Sequence, residues 1–136
     1  MLLAVFDTNV IVSAGLKPGS PPARLVMNWV LPGKVQLVTC QTILAEYREV
    51  ASRSKFARYQ FPPKWLEQLI DDSLEMPEPA AWPHALPDAK DAVFLALAKA
   101  SGAWLVTGNL KHFPEEAREG VTVIAPGEYL EGLESR

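Results

Sequence analysis

The chain begins with five apolar residues in a row, Leu2-Leu3-Ala4-Val5-Phe6, and the run ends at Asp7-Thr8-Asn9. A strand with one wet face alternates apolar and polar residues. An unbroken apolar run bounded by turn formers reads instead as a strand buried on both faces, as in parallel sheets. Such a strand needs helices above and below it, and the sequence that follows supplies them. Asn9 is placed to N-cap a short helix over residues 10–14. Lys17-Pro18-Gly19-Ser20-Pro21 reads as a loop. Pro22 suits the first position of a helix with Leu25, Val26, Trp29 and Val30 as its stripe, ended near Pro32-Gly33.

Val35–Thr39 is a second strand. Residues 41–53 form the clearest helix, since Ile43, Leu44, Tyr47, Val50 and Ala51 fall on one face. Pro62-Pro63 opens another, with Trp65, Leu66, Leu69 and Ile70 as its stripe. Residues 75–86 hold Pro77, Pro79 and Pro83, with Pro87 just beyond, and read as a loop or at most an extended segment. An alanine- and leucine-rich helix spans 88–101, closed by Gly102. Strands follow at 104–107 and 121–124, and the tail after Gly127 has room for a last helical turn. Strands alternating with helices imply an α/β, three-layer fold: a central parallel sheet of about four or five strands flanked by helices.

The chain has 136 residues, enough for one domain over 1–136 and for burial of roughly two-thirds of its unfolded surface. No apolar run approaches the roughly 20 residues needed to cross a bilayer, and no basic stretch precedes Leu2. The only cysteine, Cys40, has no internal partner. A soluble, cytoplasmic protein is the expectation. Net charge is −3, against the usual basic balance of nucleic-acid binders. That objection weakens if several carboxylates share one site and are neutralised by bound cations.

Three acids fit such a site. Asp7 directly follows the first strand, and open α/β sheets bind ligands beyond the carboxyl ends of their strands. An Asx turn capping the next helix explains it equally well. Glu46 lies about 90° from the centre of the Ile43–Tyr47–Val50 stripe, at the core boundary. An ordinary surface glutamate is the plain alternative. Asp91 heads the stripe Asp91, Phe94, Leu95, Ala98, facing the core. Attraction to a helix N-terminus is worth roughly 0.3–1 kcal/mol, short of the several kcal/mol that burying an unpaired carboxylate costs. A bound cation would cover the difference. Asp88, one turn earlier, reads as an N-cap with a possible share in metal binding. Asn109 follows the 104–107 strand at the same sheet edge, though Gly-Asn is also a common turn pair.

Like charges about 4 Å apart repel by roughly 4 kcal/mol at an effective dielectric of 20, so these acids need protons or cations between them. Hard oxygen donors favour Mg²⁺ or Mn²⁺. Cys40, His84 and His112 lack zinc spacing, and His112 reads as a surface loop residue. A glycine-rich dinucleotide turn, a P-loop, a second acid at position 9 and paired acids after the first strand are all absent. Dinucleotide-binding, P-loop, Asp-x-Asp phosphotransferase and receiver folds are therefore disfavoured.

The Asp7-Thr8-Asn9 opening, Glu46 on the third helix, Asp91 leading into Phe94-Leu95-Ala96-Leu97-Ala98, and Thr107-Gly108-Asn109-Leu110-Lys111-His112-Phe113 together resemble the PIN-domain family. They resemble in particular its toxin-like ribonuclease branch, related to VapC-type toxins. The resemblance spans nearly the whole chain. It implies metal-dependent cleavage of RNA, with catalytic acids at Asp7, Glu46 and Asp91, and Mg²⁺ or Mn²⁺ held by these with Asn109 and Asp88. The family's fourth acidic position falls on Asn109, which weakens a second metal site. Thr8, Asn9 and Thr107 are candidates to hydrogen-bond the carboxylates or the scissile phosphate. A homodimer and a silencing antitoxin partner are family expectations. The alternative is a weak or inactive RNA- or protein-binding subunit of the same fold. For RNA itself, Arg53, Lys55 and Arg58 interleave with Phe56, Tyr59 and Phe61, and Lys111 lies near Asn109; cations among aromatics suit phosphates and stacked bases. Those aromatics serve equally well as core or as a protein contact, as do Trp29 and Trp65.

Overall fold

The apolar run at the amino end is the central strand of a five-stranded, all-parallel sheet. The structure is a computed structural model and describes residues 2–59 and 62–136, with the Arg58 side chain outside the described set. Strand β1 (Leu2–Phe6) is followed by α1 (Thr8–Leu16), α2 (Pro21–Leu25), β2 (Val35–Thr39), α3 (Gln41–Ala51), α4 (Trp65–Asp72), β3 (Leu74–Glu75), α5 (Ala92–Ser101), β4 (Trp104–Val106), β5 (Val123–Ile124) and α6 (Pro126–Glu134). The sheet order is β3-β2-β1-β4-β5. β1 pairs with β2 from Leu2↔Val35 and with β4 from Ala4↔Trp104. Ala4, Val5 and Phe6 are fully buried, as an unbroken apolar strand requires.

Local differences from the sequence reading have local causes. Helix α1 starts at Thr8, two residues earlier than expected, and Asp7 rather than Asn9 occupies the N-cap position, without a side-chain cap bond. Asn9 is thereby freed for another use. In α2 it is Pro21, not Pro22, that opens the helix, capped by the Ser20 hydroxyl, which accepts from Ala23 N. The stripe Leu25–Val30 is not one α-helix: Val26–Val30 forms a π-helical turn, with Leu31 N reaching Val26 O at 2.9 Å. Beyond Glu75 the proline-rich stretch is loop, without helix or strand, and Leu74–Glu75 at its start adds a short edge strand to β2. The segment 88–101 begins with one 3₁₀ turn, Ala89–Asp91, before α5. Asp88 caps that turn, accepting from Lys90 N at 3.0 Å. Gly102 closes α5 in the left-handed region at φ 76°, a conformation that glycine adopts without strain. The last strand and helix are Val123–Ile124 and nine residues of α6, rather than 121–124 and a single turn.

Helix α5 lies along β1, β2 and β4, while α1 packs on α2 and α3, and α2 on α6. Phe94, Leu95 and Leu97 of α5 are fully buried with Leu37 and Leu105 of the sheet. Trp29 and Trp65 pack partly buried against this core. One contact ties α3 to the carboxyl end of β1, and another ties its start to the loop after β3. The buried Tyr47 hydroxyl donates to Phe6 O at 2.5 Å. At the start of α3, the Glu78 carboxylate accepts from Thr42 N at 3.3 Å, bringing negative charge to the positive end of the helix. The Thr42 hydroxyl also donates to Glu78, and that bond above all, with the Thr42 N–H, holds the Glu78 carboxyl below its ordinary pKa.

Candidate active site

β1 sends its connection toward β2, and β4 sends its own toward β5. The gap beyond their carboxyl ends is therefore the topological switch point, where open α/β sheets bind ligands. The first residue past β1 is Asp7, only 6% exposed. Its backbone N–H continues the sheet by donating to Val106 O at 2.9 Å, so its position is set by strand pairing. Its carboxylate accepts from the Thr107 hydroxyl at 2.8 Å and from Asn9 Nδ2 at 3.2 Å. Asn9 in turn accepts from Gly108 N at 3.1 Å, and the Thr107 hydroxyl accepts from Asn109 N at 3.0 Å. The segments after β1 and β4 are thus laced together around Asp7.

Glu46 arrives from α3, placed by its neighbour Tyr47, and accepts from the Thr8 hydroxyl. Asp91 arrives at the N-terminus of α5. Its side chain is 14% exposed, and its Oδ2 lies 3.0 Å from His112 Nδ1. Burial pushes the Asp7 carboxyl up from 3.8 to about 6. The Thr107 hydrogen bond opposes that rise, while the negative charges of Asp91 and Glu46 add to it. Burial also raises Asp91, opposed by the His112 hydrogen bond and reinforced by the charge of Asp88. Buried Tyr47 is held well above its ordinary value by desolvation, with Asp7 and Glu46 adding. Asp91 and Glu46, from two other elements, thus both bring negative charge to bear on Asp7. Among the described residues, no three acid, histidine or cysteine side chains close into a ready-made cation cage; each of these carboxylates is bonded to a hydroxyl, amide or imidazole instead.

A family model for the PIN domain matches residues 4–111. The chain belongs to the PIN-domain family. Solved structures share the fold at low identity. VapBC2 from Rickettsia felis, bound to a DNA fragment from their promoter, is 16% identical with a TM-score of 0.63, over 91% of this chain and 98% of that one. FitAcB from Neisseria gonorrhoeae is 19% identical with a TM-score of 0.58, over 91% and 98%. FitAB bound to an IR36 DNA fragment is 20% identical with a TM-score of 0.58, over 90% and 94%. No curated protein matches the chain in sequence.

Within this PIN domain the sequence-predicted residues fall in three groups. Asp7, Glu46, Asp91, Thr8, Asn9 and Thr107 meet at the switch point. Asn109 and Lys111 are exposed on the loop beyond β4, and Asp88 is exposed at the turn before α5. The basic residues after α3 are less free than their spacing suggests. Arg53 is paired with Glu49 one turn back at 2.9 Å, and Lys55 lies over the Phe56 ring, 5.1 Å from its centroid. The Arg58 side chain and Phe61 lie outside the described residues. The sequence reading missed His112. It read as a surface loop residue, yet it touches Asp91. The signal was its place in the same short loop as Thr107 and Asn109, at a sheet edge already marked as the site.

Proposed function

We propose that this PIN domain is a Mg²⁺- or Mn²⁺-dependent ribonuclease, the toxin of a toxin–antitoxin pair, that hydrolyses RNA phosphodiester bonds. The observation that carries this reading is the convergence of Asp7, Glu46 and Asp91 at the switch point, with Asp7 buried and its carboxyl raised to about 6 by burial and by the other two acids. Ionised together they repel, and a divalent cation relieves that repulsion. The donors suit it. They are carboxylates and hydroxyls, hard oxygens, and Mg²⁺ keeps several waters and needs only one or two carboxylates from a protein. Asp7 and Asp91 would hold the cation, with Glu46 and Asp88 adding charge and Asn109 offering an amide oxygen. When bound, the cation supplies Lewis acidity toward the phosphate and a more acidic water.

The chain's own residues do the rest. Thr107 and Asn9 fix the rotamer of Asp7, and Thr8 fixes Glu46. The exposed Lys111 stands where it can meet a backbone phosphate. Because Asp7 is rigidly held by strand pairing, a phosphate bound beside it meets a fixed rather than a mobile charge, which is the condition for positioning to aid catalysis. The VapBC2 and FitAB complexes support a protein partner, read as an antitoxin; a cytoplasmic setting belongs to the same reading. A homodimer belongs to the same reading. A second reading, a weak or inactive RNA- or protein-binding subunit, draws on Asn109, which puts no charge at the fourth position.

Incubation of wild type and Asp91→Asn with a mixed pool of labelled RNAs, in Mg²⁺ or Mn²⁺ and with EDTA, tests the proposal. Cleavage by wild type alone, abolished by EDTA, is the expected result. Equal cleavage by both proteins would place the activity elsewhere, and no cleavage in any lane would favour the binding subunit.

A further inference from the structure

The loop beyond β4 meets the acids twice. Thr107 reaches Asp7, and five residues on, His112 reaches Asp91. The backbone at His112 is not loose. His112 N donates to Asn109 O at 2.9 Å and Phe113 N to Leu110 O at 3.0 Å. The next side chain, Phe113, is fully buried, and its carbonyl accepts from Arg118 Nε at 2.8 Å. The imidazole is thus carried on a short turn anchored at both ends, although 43% of the side chain is exposed.

Resting on the cation-dependent reading above, we propose that His112 is a positioning residue: its Nδ1–H donates to Asp91 Oδ2, fixes that carboxylate, and leaves the other carboxylate oxygen to the cation. An ionised carboxylate is acceptor-only, so the proton of this bond sits on Nδ1. The arrangement explains how a loop that carries neutral Asn109 still contributes to the site. It orders an existing acid instead of adding one. Hydrogen bonds to ligating carboxylates are a general means of setting ligand orientation, and their loss typically weakens metal binding about tenfold or more.

The test compares His112→Asn with His112→Leu, near-equal in shape, one able to donate and the other not, and adds His112→Ala as a second non-donor. Mn²⁺ binding is measured by calorimetry on each folded protein, alongside RNA cleavage at low and saturating Mn²⁺ and melting in EDTA. The expected result is about tenfold weaker Mn²⁺ binding for Leu and Ala, near wild-type binding for Asn, and cleavage that recovers at saturating Mn²⁺. Wild-type Mn²⁺ affinity in the Leu and Ala variants, or an Asn variant as weak as Leu, overturns the proposal. Early melting in EDTA with unchanged Mn²⁺ affinity would make His112 a loop clamp only, which also overturns it. A wild type that binds no Mn²⁺ overturns the cation reading itself, and this proposal with it.

Discussion

The two ends of the sheet are made from the same strands and carry opposite chemistry. At the carboxyl end, Asp7, Thr8 and Thr107 are buried polar groups, bonded to one another and to Asn9 and Glu46. At the amino end, Leu2, Leu3 and Trp104, with Tyr129 and Leu133 of α6, line a mostly apolar hollow of about 330 Å³ that Glu128 and Arg136 also border. The difference follows from parallel topology. Every strand ends at the same edge, so the segments after β1 and β4 and the starts of α1 and α3 converge there. Helix starts favour anions, so that edge can gather acids. The opposite edge collects helix ends and apolar strand starts, and simply packs.

Asp7→Asn should produce the largest effect. Cleavage should fall by at least roughly a hundredfold, since the buried charge that would hold the cation is gone. The metal-free protein should become more stable at pH 7, by about 1–3 kcal/mol. The sign follows from a carboxyl whose folded value, about 6, exceeds its ordinary 3.8. The folded state holds the proton more tightly, so wild type has this contribution in full below about pH 4 and loses it as pH rises through 6. Urea melts in EDTA at pH 4 and pH 7 should show that slope in wild type and a smaller one in Asp7→Asn. An equally steep slope in the variant would remove Asp7 as its source.

Leu133→Ala, at the apolar end, should cost about 2–4 kcal/mol by leaving a cavity, with Mn²⁺ affinity unchanged in the folded protein. A parallel loss of Mn²⁺ binding would show that the two ends are coupled. Tyr47→Phe removes the bond to Phe6 O and should cost about 1–2 kcal/mol. Because Tyr47 sets α3 against β1, Mn²⁺ binding should weaken several-fold, by calorimetry, with the fold retained by circular dichroism. Trp104→Ala, at a side chain 45% exposed, should shift stability by no more than about 1 kcal/mol and leave cleavage untouched.

Most of the fold could be read from local pattern. The run 2–6 has no polar residue to turn toward water, so it had to be a strand covered on both faces. The stripes of α3 and α5 repeat at helical spacing and were placed to within a few residues. The failures were short-range geometric choices. Whether Asp7 or Asn9 stands at the start of α1, and whether Val26–Val30 winds as α or π, depends on small energy differences that side-chain contacts from distant residues decide. At the site, Asp91 stood out because a carboxylate led an apolar stripe. Glu46 was marked only by its place at the edge of one.

The sequence by itself determined the parallel α/β architecture, the PIN-domain resemblance and the presence of three acids at points that such a sheet brings to one edge. These depend on periodicity and on strand ends, which are local and additive. Tertiary structure alone decided that Asn9 serves Asp7 and Gly108 rather than a helix cap, and that His112 belongs with Asp91. The bonds from Gly108 to Asn9 and from His112 to Asp91 join residues remote in sequence, and the Asn9–Asp7 bond is a local one that the Gly108 contact orients. Such bonds depend on distances of about 3 Å, which residue type and spacing do not encode and only the packed chain sets.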